Sequence, residues 1–272
     1  MNRTTLFPLA AALACSLAHA SPASPADIEK AVAALATHED GKDPSCLRAI
    51  DAMLRAKPAG SPALRDLESR LAALIAGNST REAKTEACKF LCVIGGEASL
   101  PALAKLLEDE ALSEIACLAL SHYPPSADGV LREAMTRARG RAALAIAGLL
   151  GDRRDAGAID PLAARAKDGD PALADAVAMA LGKIGTPGAA AALKAIRAGQ
   201  QPPRLATLMG SLRCAEALAQ DGKSGEADAL CGQLMEASLP RHVRRGAFLL
   251  RCRLAGGKPA DVILALLQKR AA

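Results

Sequence analysis

Apolar residues recur at three- and four-residue intervals along most of the chain, as in Ile115, Leu118 and Ala119 and again in Ile146, Leu149 and Leu150. That spacing puts them on one face of a helix, and no window alternates as a strand would. The pattern is itself repeated. At an offset of 31 residues Ile115, Ile146 and Val177 align, as do Ala119, Leu150 and Leu181, and Leu131, Leu162 and Leu193. A fixed period in this range marks a solenoid, in which each unit buries its apolar face only against its neighbours. The predicted fold class is all-α, a right-handed α-solenoid of antiparallel helix pairs.

Cap residues place the helix starts. Ser24-Pro25, Asp43-Pro44, Ser61-Pro62 and Asp170-Pro171 each set a side-chain acceptor before a proline, and Ser79 with Glu82 reads as a capping box. Helices are predicted at 26–40 with 44–57, and 62–77 with 80–94, followed by an unpaired 98–108. Further pairs are 111–122 with 126–138, 141–151 with 156–167, 171–184 with 187–198, 203–220 with 224–237, and 240–255 with 259–270. The chain divides into a signal peptide (1–20), an N-terminal helical capping region (21–79), regular repeats (80–201) and divergent C-terminal repeats (202–272).

Within this pattern, Ala180-Leu181-Gly182-Lys183-Ile184-Gly185-Thr186-Pro187, followed by Ala189 to Leu193, resembles the short HEAT repeat of the bilin-lyase type. Leu91 to Leu107 and Leu149 to Ala166 carry the same order of helix, glycine turn and helix. The likeness covers about residues 80 to 200 and is similar in particular to exported bacterial HEAT-repeat proteins. It implies an α-solenoid with a binding surface and brings no catalytic residues with it.

Composition changes this picture mainly through what is scarce. The chain of 272 residues is 51% hydrophobic, yet after the leader only Phe90, Tyr123 and Phe248 are aromatic. A core of Ala, Leu, Ile and Val favours closely packed helices. The same scarcity disfavours nucleic acid, whose single strands are held on aromatic platforms.

At the N-terminus, Arg3, the apolar run Leu6 to Leu17 and Ala18-His19-Ala20 read as an export signal cleaved after Ala20. A rival reading takes Ala12 to Cys15 as a lipobox with Cys15 lipidated. Either sends the chain out of the cytoplasm, and no later stretch is apolar enough for a transmembrane segment. Without the leader 33 basic residues face 29 acidic ones, a formal +4. Residues 241 to 270 carry +7 of this, including Arg241, Arg244 and Arg245, so the rest nets −3. The basic end reads either as a solvated capping repeat or as a contact for an anionic surface.

Seven cysteines follow the leader. An oxidising compartment permits bridges of Cys46 with Cys88 or Cys92, and of Cys214 with Cys252. Cys88 and Cys92 share a helical face and could ligate a soft metal, with Cys117 as third ligand, although buried small hydrophobes are the simpler reading. No metal or other cofactor is predicted.

There is no HExxH, GxSxG, Walker loop, GxGxxG or CxxC. His38, His122 and His242 stand far apart. Asp168-Gly169-Asp170 reads as a turn before a helix, not as a calcium loop. Arg153 and Arg154 occupy an inter-helix turn, where charges either form ladders between units or supply a binding edge. The function expected is a non-enzymatic, exported adaptor holding an unknown protein partner, with candidate surface residues Arg153, Arg154, Arg241, Arg244 and Arg245. A lyase or cofactor-attaching accessory is the alternative, along with anionic-surface binding through the basic end.

Overall fold

The computed structural model describes residues 24–256 together with 260, 263 and 264. The export signal, Cys15, most of the helix expected over 259–270, and Lys258, Lys269 and Arg270 lie outside the described residues.

Fourteen α-helices are present among the described residues. They are α1 (Pro25–Ala36), α2 (Ser45–Ala56), α3 (Pro62–Ala76), α4 (Arg81–Ile94), α5 (Leu100–Leu106), α6 (Ser113–Ser121) and α7 (Asp128–Arg137). The second half holds α8 (Gly140–Asp152), α9 (Ile159–Arg165), α10 (Pro171–Ile184), α11 (Pro187–Ala198), α12 (Leu205–Gln220), α13 (Ser224–Gln233) and α14 (Arg241–Leu254). Short 3-10 turns at Glu97–Ser99, Pro125–Ala127 and Ala156–Ala158 lead into α5, α7 and α9.

The caps form largely where the sequence sets them. The Ser24 hydroxyl accepts from the Asp27 amide while the Asp27 carboxylate accepts from the Ser24 amide, a capping box that opens α1. Ser61 caps α3 and Asp170 caps α10. At α4 the cap is Thr80 and not Ser79, because the Ser79 hydroxyl is already donated to the Leu74 carbonyl at 2.7 Å.

The helices sort into two layers. Each even-numbered helix from α2 to α14 packs on the next even one, and the odd-numbered helices from α1 to α11 do the same. Every odd helix also packs on the even helix that follows it. This gives α5, unpaired in the sequence-based scheme, a regular place between α3 and α7. The array is an α-solenoid, as the 31-residue period predicts.

Burial shows where the period is strict. Ala142, Ala143, Ile146, Ala147, Leu149, Leu150 and Gly151 of α8 are buried, and so are the residues 31 positions on, Leu173, Ala174, Val177, Ala178, Ala180, Leu181 and Gly182 of α10. Between α4 and α6 the offset shortens to 29, matching Ala87, Cys88 and Leu91 with Ala116, Cys117 and Leu120. Between α10 and α12 it lengthens to 34, matching Ala180, Leu181 and Ile184 with Cys214, Ala215 and Leu218. The alignment at Ile115 is therefore only partly a core alignment. Ile115 is half-buried and Leu118 is 49% exposed, because α6 buries the narrower face Ala116, Cys117, Ala119 and Leu120.

Glycine sets the spacing of the central even helices. A Cβ on Gly151 would lie 2.7 Å from the Ala180 Cα, and one on Gly182 would lie 2.5 Å from the Gly210 carbonyl oxygen. Both distances are below van der Waals contact, so α8, α10 and α12 approach more closely than any side chain at these positions would allow.

A polar cluster joins the capping region to the repeats. Glu68 of α3 is buried, and its carboxylate accepts from the Gly96 amide at 2.8 Å, the Ser99 amide at 3.1 Å and the Ser99 hydroxyl at 2.7 Å. Ser99 also lies 2.8 Å from the Tyr123 hydroxyl, which burial makes harder to ionise than an ordinary phenol. Three charge-assisted bonds offset the burial of the carboxylate.

Candidate functional site

The close approach of α8, α10 and α12 leaves a groove of about 610 Å³ across their outer side. Met179, Met209 and Leu212 supply its apolar wall, and Asp152, Lys183 and Arg213 its polar edge. The groove belongs to a longer pattern. Val93 on α4, Leu118 on α6, Leu205 and Met209 on α12 and Leu249 on α14 are exposed large apolar residues, and no odd helix from α1 to α13 carries one; Ile263 and Leu264, helical residues beyond α14, are exposed as well. A soluble surface scatters such residues; confinement to one layer marks a face with something to cover.

Of the sequence-derived candidates, Arg153 is corrected first. Its side chain is only 12% exposed. Nε meets Asp128 Oδ1 at 2.6 Å, and Nη1 and Nη2 donate to the carbonyls of Tyr123 at 2.9 Å and Pro124 at 3.0 Å. With charge and donors so engaged it clamps one unit to the previous one and offers nothing to a partner.

Arg154 does border the groove. Its φ of 51° lies in the left-handed region, at a cost of about 1 kcal/mol for a non-glycine residue. Nη2 meets Asp221 Oδ2 at 2.6 Å and Nε faces the Ile184 carbonyl at 3.4 Å. Lys183 to Asp152 at 2.6 Å and Arg132 to Asp155 at 2.9 Å continue the ladder between units. Arg165, buried, binds the Met135 and Ala138 carbonyls and pairs with Asp168 at 2.6 Å, which removes Asp168 from any calcium loop.

Arg241 and Arg245 are exposed on α14, whereas Arg244 is half-buried with its Nε unpartnered among the described residues. These arginines are remote from the Arg153 turn, so the five candidate residues do not form one site. Sequence reasoning also passed over Met179, Met209, Leu205, Leu212 and Arg213. The available signal was an apolar residue on the otherwise polar stripe of an amphipathic helix.

None of the expected disulfides is formed: all seven described cysteines are free. The geometry gives a reason for two of them. The Cys214 thiol is directed at the Thr186 carbonyl, toward the preceding unit, while α14 with Cys252 lies on the following side of α12. The Cys92 thiol is turned onto the Cys88 carbonyl of its own helix at 3.3 Å. Burial pushes the Cys88, Cys117 and Cys231 thiols up to about 12 and that of Cys214 to about 11.

Alkylation of the native protein should therefore modify the half-exposed Cys92 and Cys252 and spare the others until urea is added, as intact-mass spectrometry would read. The raised thiols also set a pH dependence. The unfolded chain loses those protons near its ordinary value of 9.0, before the folded one does. Stability is whole below that pH and declines as pH rises from about 9 toward about 12, so the urea midpoint should be lower at about pH 10 than at about pH 8.

Among the described residues no group of three or more His, Cys, Asp and Glu side chains gathers as a metal site would. His38 is buried at the end of α1, His122 bonds Ser121, and His242 opens α14. No helix among the described residues is long and apolar enough to cross a membrane. No curated protein matches the chain. A family model described as HEAT repeats matches residues 128–213, the span from α7 into α12 that holds the strict period and most of the groove's lining. Over that segment, about a third of the chain, the sequence is similar to HEAT repeats.

Proposed function

We propose that the protein is an exported, non-enzymatic adaptor whose even-helix face holds another protein. The observation that carries this reading is that, across α1 to α14, the exposed large apolar residues Val93, Leu118, Leu205, Met209 and Leu249 all lie on the even layer of an α-solenoid whose middle is similar to HEAT repeats. HEAT repeats commonly serve as interaction scaffolds, and a rigid sum of neighbouring interfaces presents a long surface without needing to fold on binding. Export rests on the apolar leader ending in Ala18-His19-Ala20. Burial of most thiols is compatible with an oxidising compartment, since it withholds them from exchange. The lyase alternative would need a pocket for a large planar group, and the lining of the groove contains no aromatic residue.

Photo-crosslinking in the producing cells tests the reading. A photoreactive residue at Met209 or Leu118 should trap one discrete protein in the exported fraction, while the same residue at Glu133 or Lys194, exposed on odd helices, should trap none. Equal trapping on both layers, or none on the even one, would sink it. Retention of the chain in the cytoplasm would remove export separately.

A further inference from the structure

The C-terminal part of the even face carries a stripe of arginines beside a groove whose lining also includes Glu216. Arg241, Arg245 and Leu249 follow one another at four-residue steps and are all exposed, so they share one stripe of α14. Leu205, Met209 and Arg213 do the same on α12. The two helices touch between these stripes, since a Cβ on Gly246 would lie 2.6 Å from the Leu212 Cδ2. Met179, Met209, Leu212 and Leu249 thus form an apolar seam edged by Arg213, Arg241 and Arg245.

Three other arginines along this end are neutralised within the fold, whereas Lys194, Lys223, Arg244 and Arg253 join no ion pair among the described residues. Arg197 faces Glu236, Arg204 faces Asp175 and Arg251 faces Asp228, the last two through pairs of bonds between 2.6 and 3.0 Å. Arg213, Arg241 and Arg245 join no ion pair among the described residues. Three uncompensated guanidinium groups beside exposed apolar side chains call for a partner that brings both carboxylates and apolar contact.

We infer that the seam over α10, α12 and α14 binds an acidic amphipathic helical segment of a partner protein, its apolar stripe in the groove and its carboxylates on Arg213, Arg241 and Arg245. This rests on the adaptor reading and specifies its partner. The chain's own last residues are a poor occupant, because 257–272 carry Lys258, Lys269 and Arg270 against Asp261 alone, the same sign as the seam. A lipid bilayer is also disfavoured. It would meet the arginines but could not follow the groove between helices where Met179 and Leu212 sit, whereas helix-in-groove docking reaches both.

The test uses the full chain and a labelled synthetic peptide with leucines at i, i+3, i+4 and i+7 flanked by glutamates. Its lysine-flanked counterpart, a scrambled acidic peptide and anionic vesicles serve as comparisons. The acidic amphipath should bind, weaken with salt, and lose about tenfold in affinity in R241E/R245E and again in M209E. Circular dichroism should show both variants folded.

Binding of the lysine peptide as tightly as the acidic one, or of the scrambled peptide as tightly as the ordered one, overturns the inference. So does preferential binding to vesicles, or self-association abolished by R241E/R245E, which would make a second copy the occupant. If M209E weakens binding and R241E/R245E does not, the charge assignment falls while the adaptor reading stands. No binding of the acidic peptide overturns the inference and leaves the crosslinking result to judge the adaptor.

Discussion

Replacing Gly210 by alanine is expected to destabilise the protein by about 3 kcal/mol, although alanine is intrinsically the better helix former. The added methyl would overlap the Ala178 carbonyl oxygen and press on the Leu193 Cδ2 at 3.4 Å, so α12 must move away from α10. The neighbouring obstacle is backbone and cannot rotate aside. Gly148→Ala provides the contrast, since a Cβ there meets nothing within 4 Å on the outer side of α8. That variant should gain about 1 kcal/mol through helix propensity. Urea unfolding followed by circular dichroism reads both. Because stability in an array is a sum of neighbouring interfaces, G210A should also separate the melting of α12 to α14 from the rest. A single transition with an unchanged midpoint would show that the close approach of α10 and α12 carries little of the stability.

The second large effect belongs to Glu68. Glu68→Ala leaves the half-buried Gly96 amide and the buried Ser99 amide without the carboxylate they donate to, and about 3 kcal/mol should be lost. Glu68→Gln keeps an acceptor but adds donors with no assigned partner and should fall between. Tyr123→Phe removes one bond at the edge of the cluster, about 1 kcal/mol. Hydrogen exchange locates the effect as well as sizing it: the Gly96 and Ser99 amides should lose protection in E68A before those of α8 and α10 do. If all amides lose protection together, the cluster belongs to the global core and is not a local joint.

Much of the fold was readable because its determinants are local. Pro171 behind Asp170, the apolar steps in α8 and α10, and Gly185 with φ 66° at the end of α10 are each decided within a few residues. The cluster around Glu68 was not readable, since Glu68 and Ser99 are 31 residues apart and nothing in the sequence marks the glutamate as buried. Arg153 shows the same limit from the other side. An arginine in a turn looks free until the Tyr123 and Pro124 carbonyls are seen beneath it. The disulfide expectation failed for a directional reason: spacing can place Cys214 and Cys252 on neighbouring helices, but not fix which way a thiol points. At the candidate site the charge of α14 was legible, whereas the apolar seam beside it emerged only once Met179, Met209 and Leu249 were known to lie in the same layer.

Arg154 has a mechanical consequence. It starts in the turn after α8 and ends on Asp221 after α12, so it bridges two units past the one between them. A helical array behaves as a spring, and a strut tied across three of its coils stiffens that stretch alone. Widening the groove must lengthen a 2.6 Å ion pair whose arginine is already held in an unfavourable backbone conformation. Around α10 the array thus carries a tie that spans three units, a weak brake on opening because the pair is partly exposed and worth at most about 1 kcal/mol.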